Sequence, residues 1–200
     1  MRRPGRPGTH TFPSEQNLRG VVLVEGPSDQ AAVVTLARRS GRDLAGEGIS
    51  VVAMGGAQAI GRFWDAFGPQ GRDIVRGGLC DVAEESHFRR GLEGDGHGLP
   101  LTRESMEALG FFVCTVDLED EMIRALGTAI VERIVADQAE LDAFRTFQRQ
   151  PAWRGKPIQA QLGRFIGTRS GRKIRYGRLL AEALDPTQVP RPLHRLLMRM

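Results

Sequence analysis

The chain has 200 residues, of which 40% are hydrophobic, and 25 glycines bring the total to the usual share for a globular protein. That is enough apolar material for a real core, so a wholly disordered chain and a collagen-like fibre are excluded. The net charge of +4 hides a split: residues 1–144 hold 15 Lys/Arg against 22 Asp/Glu, a balance of −7, and residues 145–200 hold 13 against 2, a balance of +11.

Residues 1–19 are rich in Pro, Gly and Arg, lack an apolar period, and are expected to form a flexible arm. Residues 20–24 form a continuous β-branched run, the mark of a strand buried on both faces. Glu25-Gly26-Pro27-Ser28-Asp29 then turns into a helix that Pro27 or Ser28 opens. A second strand is predicted over 49–54, followed by Gly55-Gly56 and a helix to about Phe67. A third strand over 74–80 is interrupted by Gly77-Gly78, and the polar, Gly-rich stretch 83–101 reads as a loop. Thr102 caps a short helix to Leu109, a fourth strand covers 111–116, and 118–147 reads as one long helix or two. Helical stretches at 159–166 and 178–184 follow Pro151, and a Pro-rich end closes the chain.

Strands alternating with helices indicate an α/β fold with a central parallel four-stranded sheet. Functional residues in such sheets collect beyond the carboxyl ends of the strands. Three of the four predicted strand ends carry acids: Glu25 and Asp29 after the first, Asp81, Glu84 and Glu85 after the third, and Asp117, Glu119, Asp120 and Glu121 after the fourth. Capping explains some of them singly, because Asp117 with Asp120 resembles a capping box and acids favour helix N-termini. Glu25 precedes its helix and caps nothing obvious. Like charges gathered in a cleft repel unless a cation holds them, and hard oxygen donors suit Mg²⁺ or Mn²⁺. The basic tail suits a phosphate backbone or, equally, a solvated Arg-rich face.

Val-Glu-Gly-Pro-Ser-Asp (24–29), Gly-Leu-Cys-Asp (78–81) and Asp-Leu-Glu-Asp-Glu (117–121) resemble a TOPRIM domain, in the branch of the overcoming-lysogenization-defect (OLD) nucleases. The resemblance covers about residues 20–126, leaving 127–200 as a basic helical C-terminal extension. It implies a Rossmann-like TOPRIM sheet and a metal-dependent endonuclease that hydrolyses the phosphodiester bonds of DNA. Glu25, Asp29, Asp81 and Glu119 would then be metal ligands, with Glu84 able to join them and Asp81 bridging two ions. Arg-Gly-Lys-Pro (154–157) resembles the segment where these nucleases place a basic residue near the metals, which makes Lys156 a catalytic candidate with Glu25 and Asp81. Arg154, Arg164, Arg169, Arg172, Lys173 and Arg175 are the candidates for gripping nucleic acid, DNA rather than RNA.

The sequence departs from that pattern in one place. Many TOPRIM domains carry Asp-x-Asp after the third strand, and here the second position is Ala83. A degenerate TOPRIM-like subunit that binds nucleic acid or an ATPase is the alternative, as is a TOPRIM nucleotidyl transferase or ribonuclease. The sequence has no P-loop, so if ATP matters, an ATPase partner supplies it in trans. The single tyrosine, Tyr176, reads as a packing residue, the four histidines show no metal spacing, and Cys80 and Cys114 read as buried thiols. No apolar stretch reaches membrane-spanning length and no apolar leader follows Met1, so a cytoplasmic protein is expected.

Overall fold

The computed structural model describes residues 18–67, 74–93 and 101–200. All but the last two residues of the predicted arm, together with His10 and His97, lie outside them. The sheet holds β1 (Gly20–Val24), β2 (Ile49–Ala53), β3 (Val75–Asp81) and β4 (Phe111–Cys114), all parallel, in the order β2-β1-β3-β4. The fold is therefore α/β with the expected four-stranded parallel sheet. β1 is buried along its whole length, as its β-branched run requires.

Alternate residues of β1 feed two layers. Val22 and Val24 pack with Leu79, Phe112 and Cys114 under α1 (Pro27–Arg39), and Val21 and Leu23 pack with Cys80 and Phe111 on the opposite face. That second face is covered by α2 (Ile60–Phe67), α3 (Glu85–Glu93) and α4 (Arg103–Leu109). Gly78 is required in β3 by close approach. A Cβ there would lie 2.5 Å from the Leu23 carbonyl oxygen and 2.8 Å from the Phe111 ring. The glycines thus admit neighbours to an unbroken strand.

After β4 the chain is helical: α5 (Leu118–Leu126), α6 (Thr128–Asp137), α7 (Leu141–Gln148), α8 (Ile158–Ile166), α9 (Ser170–Ala183) and α10 (Arg191–Arg199). The stretch 118–147 is thus three helices, broken at Gly127 and at Ala139, which have φ of 78° and 56°. The expected loop after β3 contains α3, whose Phe88 and Leu92 are buried one turn apart. The Pro-rich end contains α10, with Pro192 in its first turn and Leu193, Leu196 and Leu197 buried. The apolar residues of α6 to α10 form one continuous core with α1, α5 and the sheet. No described helix is long and apolar enough to cross a membrane.

Candidate metal and nucleic-acid site

The strand order places a switch point between β1 and β3, where the crossover from β1 runs over one face to β2 and that from β3 over the other face to β4. Glu25 follows β1 and Asp81 ends β3 at this point. The Asp81 N–H donates to Glu25 Oε1 at 3.0 Å, which fixes one carboxylate oxygen at the gap. Asp29 stands in the first turn of α1, where its Oδ2 accepts from the Gly26 N–H at 2.9 Å. Asp117 caps α5 by accepting from the Asp120 N–H at 2.7 Å. Glu119, in the first turn of α5, is only 3% exposed, and its Oε2 lies 3.2 Å from the Lys173 ammonium.

These acids share one field. Burial, with Glu25, Asp29 and Asp117 acting in the same direction, raises the Asp81 carboxyl to about 8 against the pull of Lys173. Burial likewise raises Glu119, to about 7, with Asp29 and Asp117 adding to the effect against the opposing pull of Lys173. Glu25 and Asp29 are raised as well, each chiefly by burial. Glu84 stands at the rim, facing Glu25 electrostatically and His87 at 3.7 Å. Glu85 turns away to Arg89 and Arg103, and Asp120 and Glu121 are held by Arg124. Of the Asp-Leu-Glu-Asp-Glu run, Glu119 is therefore the acid that is turned to Lys173 and shares the field of Asp29.

The donor set fits a divalent cation in kind: clustered hard oxygens, mutual repulsion and a buried carboxylate, Glu119, offset by one ammonium. Among the described residues, no three His, Cys, Asp or Glu side chains are already drawn around one point. Closing on an ion requires side-chain rotation.

The basic residues separate sharply. Lys173 reaches the acids from α9, with Nζ 3.2 Å from Glu119 Oε2, and its charge acts on Asp29, Asp81 and Glu25. Gly177, one turn further along α9, lies against α1. A Cβ there would come within 2.7 Å of the Ser28 carbonyl oxygen, so glycine lets α9 approach the first turn that carries Asp29. Lys156 stands exposed on the turn between α7 and α8, with no side-chain partner among the described residues. Arg172 and Arg175 bind Glu140, which also accepts from the Tyr176 hydroxyl at 2.8 Å. Arg154 bonds weakly to the Arg149 carbonyl oxygen, and Arg164 and Arg169 are exposed without side-chain partners among the described residues. The position of Lys173 is not legible from spacing, because it lies 54 residues beyond Glu119. Its one sequence signal is that it is one of only two lysines in an Arg-rich chain.

A parallel sheet with order β2-β1-β3-β4 and acids following β1, β3 and β4 is an α/β domain of the kind that the TOPRIM resemblance implies. Residues 18–74 match the family model described as overcoming lysogenization defect protein-like, TOPRIM domain. The match includes Glu25 and Asp29, and Asp81 and Glu119 lie beyond it. The whole chain resembles the C-terminal region of the Xanthomonas campestris pv. campestris OLD protein, with TM-score 0.68 and 23% identity over 92% of this chain and 95% of that one. It also resembles the C-terminal region of the Burkholderia pseudomallei OLD protein, with TM-score 0.67 and 19% identity over 91% and 96%. Among curated proteins no relative is found. Residues 18–74 thus match an OLD-like TOPRIM domain, and the chain has the fold of the C-terminal region of OLD proteins.

Proposed function

We propose that this protein is a divalent-metal-dependent nuclease that hydrolyses phosphodiester bonds in DNA. An OLD-like TOPRIM domain supports a function on nucleic acid. The observation that carries the finer reading is the convergence of Glu25, Asp29, Asp81 and Glu119 on one edge of the sheet, where their fields raise one another's proton affinity. Folding four carboxylates into one buried neighbourhood is unfavourable unless a cation is to be held there.

Mg²⁺ or Mn²⁺, one ion or two, would be held by these four acids, with Glu84 at the rim, and when bound would supply Lewis acidity at a phosphoryl oxygen. The chain's own residues do the rest. The backbone of Asp81 orients Glu25 through the 3.0 Å hydrogen bond. The Lys173 ammonium stays protonated, because Glu119, Asp29 and Asp81 outweigh its burial. It therefore places a fixed positive charge beside the acids, suited to the charge that develops on a phosphoryl group in transfer.

The test is incubation of supercoiled plasmid with Mn²⁺, then Mg²⁺, with EDTA and Asp81→Ala as controls. Nicking or linearisation that both controls remove is the expected result. Cleavage that survives Asp81→Ala overturns the site. One observation favours a second reading, a non-catalytic nucleic-acid-binding subunit: no three acids are drawn around one point among the described residues, and Ala83 stands where many TOPRIM domains have a second Asp. Metal affinity separates the two, because the nuclease binds Mn²⁺ and loses it on Glu25→Gln.

A further inference from the structure

A cleft of about 650 Å³ runs from the acids along α8. Glu119 and Lys173 line one end, and Gln159, Ala160, Gly163 and Arg164 form the side given by α8. Its volume falls in the range of small-molecule clefts, roughly 300–1,000 Å³, which gives room for a short stretch of one nucleic-acid strand.

Three features of the lining suit a sugar–phosphate backbone. Ala160 and Gly163 keep the helix surface low, so a backbone can approach closely. Arg164 is exposed and has no side-chain partner among the described residues, so it is free to take a phosphate. Asp117, Glu119 and Asp120 line the acid end of the cleft, where Lys173 Nζ lies 3.2 Å from Glu119 Oε2, so a flanking phosphate is taken on the α8 side. Val116, 52% exposed, and Pro157 supply apolar contact for a sugar or a base edge. No aromatic side chain is in the lining, so the strand is held by its backbone and its sequence is not read by stacking.

We propose that this cleft is the path of one unpaired strand, with Arg164 holding a phosphate that flanks the one presented to the acids and Lys173. The reacting phosphate is identified through the nuclease reading, and the path itself rests on the geometry. Of the six basic residues marked in the sequence, this selects Arg164 as the strand contact and gives Lys173 to the reacting end. Arg172 and Arg175 are left to Glu140.

The experiment measures fluorescence anisotropy on Asp81→Asn protein, with and without Mg²⁺, using a short fluorescein-labelled oligothymidylate and a blunt hairpin duplex. The single strand binds more tightly. Arg164→Glu and Gly163→Leu each weaken it about tenfold. Arg164→Ala flattens the slope of log affinity against log salt by about 0.7, one single-strand phosphate contact. Arg38→Ala, exposed in the last turn of α1 and outside the cleft, changes binding little. A Cβ at Gly163 meets nothing closer than Ile123 Cδ1 at 3.9 Å, and thermal unfolding checks that Gly163→Leu folds. Arg164 is a surface residue, so its variants decide the matter if Gly163→Leu does not fold. Tighter binding of the duplex, or parental binding by the Arg164 variants, overturns the proposal. Strand binding that depends on Arg164 in a protein that never cuts plasmid keeps the cleft and removes the nuclease reading. Plasmid cleavage with binding indifferent to Arg164 does the reverse.

Discussion

Glu25 and Asp81 are tied together across the gap where the sheet changes direction: the backbone N–H of Asp81 donates to Glu25 Oε1 at 3.0 Å, while the Asp81 carboxyl is raised to about 8 beside it. The bond uses one oxygen of Glu25 and neither oxygen of Asp81. The site thus has one oriented carboxylate and one whose proton affinity is raised well above the ordinary carboxylate range.

Asp81→Asn keeps the backbone N–H that orients Glu25 and removes the acid. Plasmid cleavage is expected to fall at least about a hundredfold, since the charge stabilisation a metal provides is several kcal/mol and each tenfold in rate is about 1.4. Circular dichroism and the unfolding midpoint are expected to show an intact fold. Isothermal titration with Mn²⁺ locates the loss in metal binding.

Asp81 and Glu119 also set a pH dependence. Their folded values, about 8 and about 7, lie above the ordinary carboxylate value of about 4. Between those limits these two groups bind more protons folded than unfolded, so their contribution to stability is greatest at the acid end and declines as pH rises through about 8. Urea midpoints measured in EDTA are expected to fall more gently with pH for Asp81→Asn than for the parent. Added Mn²⁺ binds the ionised carboxylates and shifts the parent's optimum to higher pH. Identical profiles for parent and variant in EDTA contradict the assignment.

The two lysines make opposite predictions. Lys173→Ala removes the cation 3.2 Å from buried Glu119 and is expected to abolish cleavage, with Lys173→Arg restoring little because a planar guanidinium does not replace a compact ammonium. Lys156→Ala, on its exposed turn, is expected to leave cleavage within about twofold of the parent. Initial rates on plasmid compare the four proteins directly.

Glu140 gathers Arg172, Arg175 and the hydroxyl of fully buried Tyr176. Burial and the adjacent carboxylate hold that hydroxyl protonated well above its ordinary range. Glu140→Ala leaves a buried donor without its acceptor and is expected to destabilise by about 2 kcal/mol, lowering the unfolding midpoint by about 5 °C. Glu140→Gln keeps an acceptor and recovers part of the loss. Cleavage is expected to fall with Glu140→Ala as well, because Lys173 sits between the two arginines on α9.

The acids were readable because each directly follows a β-branched or apolar run, so strand periodicity located them without any tertiary information. Glu25, Asp29, Asp81 and Glu119 come to one edge for that reason. Glu84 is at the rim because a 3-10 turn over Val82–Glu84 swings it outward. The basic residues were not readable in the same way. Whether an arginine meets Glu140, as Arg172 does, or water, as Arg169 does, depends on which helix packs opposite, and charge runs carry no record of that. The α3 segment was concealed by polar composition, although Phe88 and Leu92 held the four-residue spacing that betrays it. In α10, the prolines obscured an apolar stripe of Leu193, Leu196 and Leu197.

The continuous core beneath the sheet has a consequence for cooperativity. Val22 and Val24 of β1 share one apolar cluster with Tyr176 and Leu180 of α9 and Leu196 of α10. There is no seam along which the helical end could peel away and leave the acid edge standing. The negative half of the site, built on strand ends, and its positive half, built on α9, therefore melt in one transition, and a chain shortened before α9 would lose the sheet's packing along with Lys173.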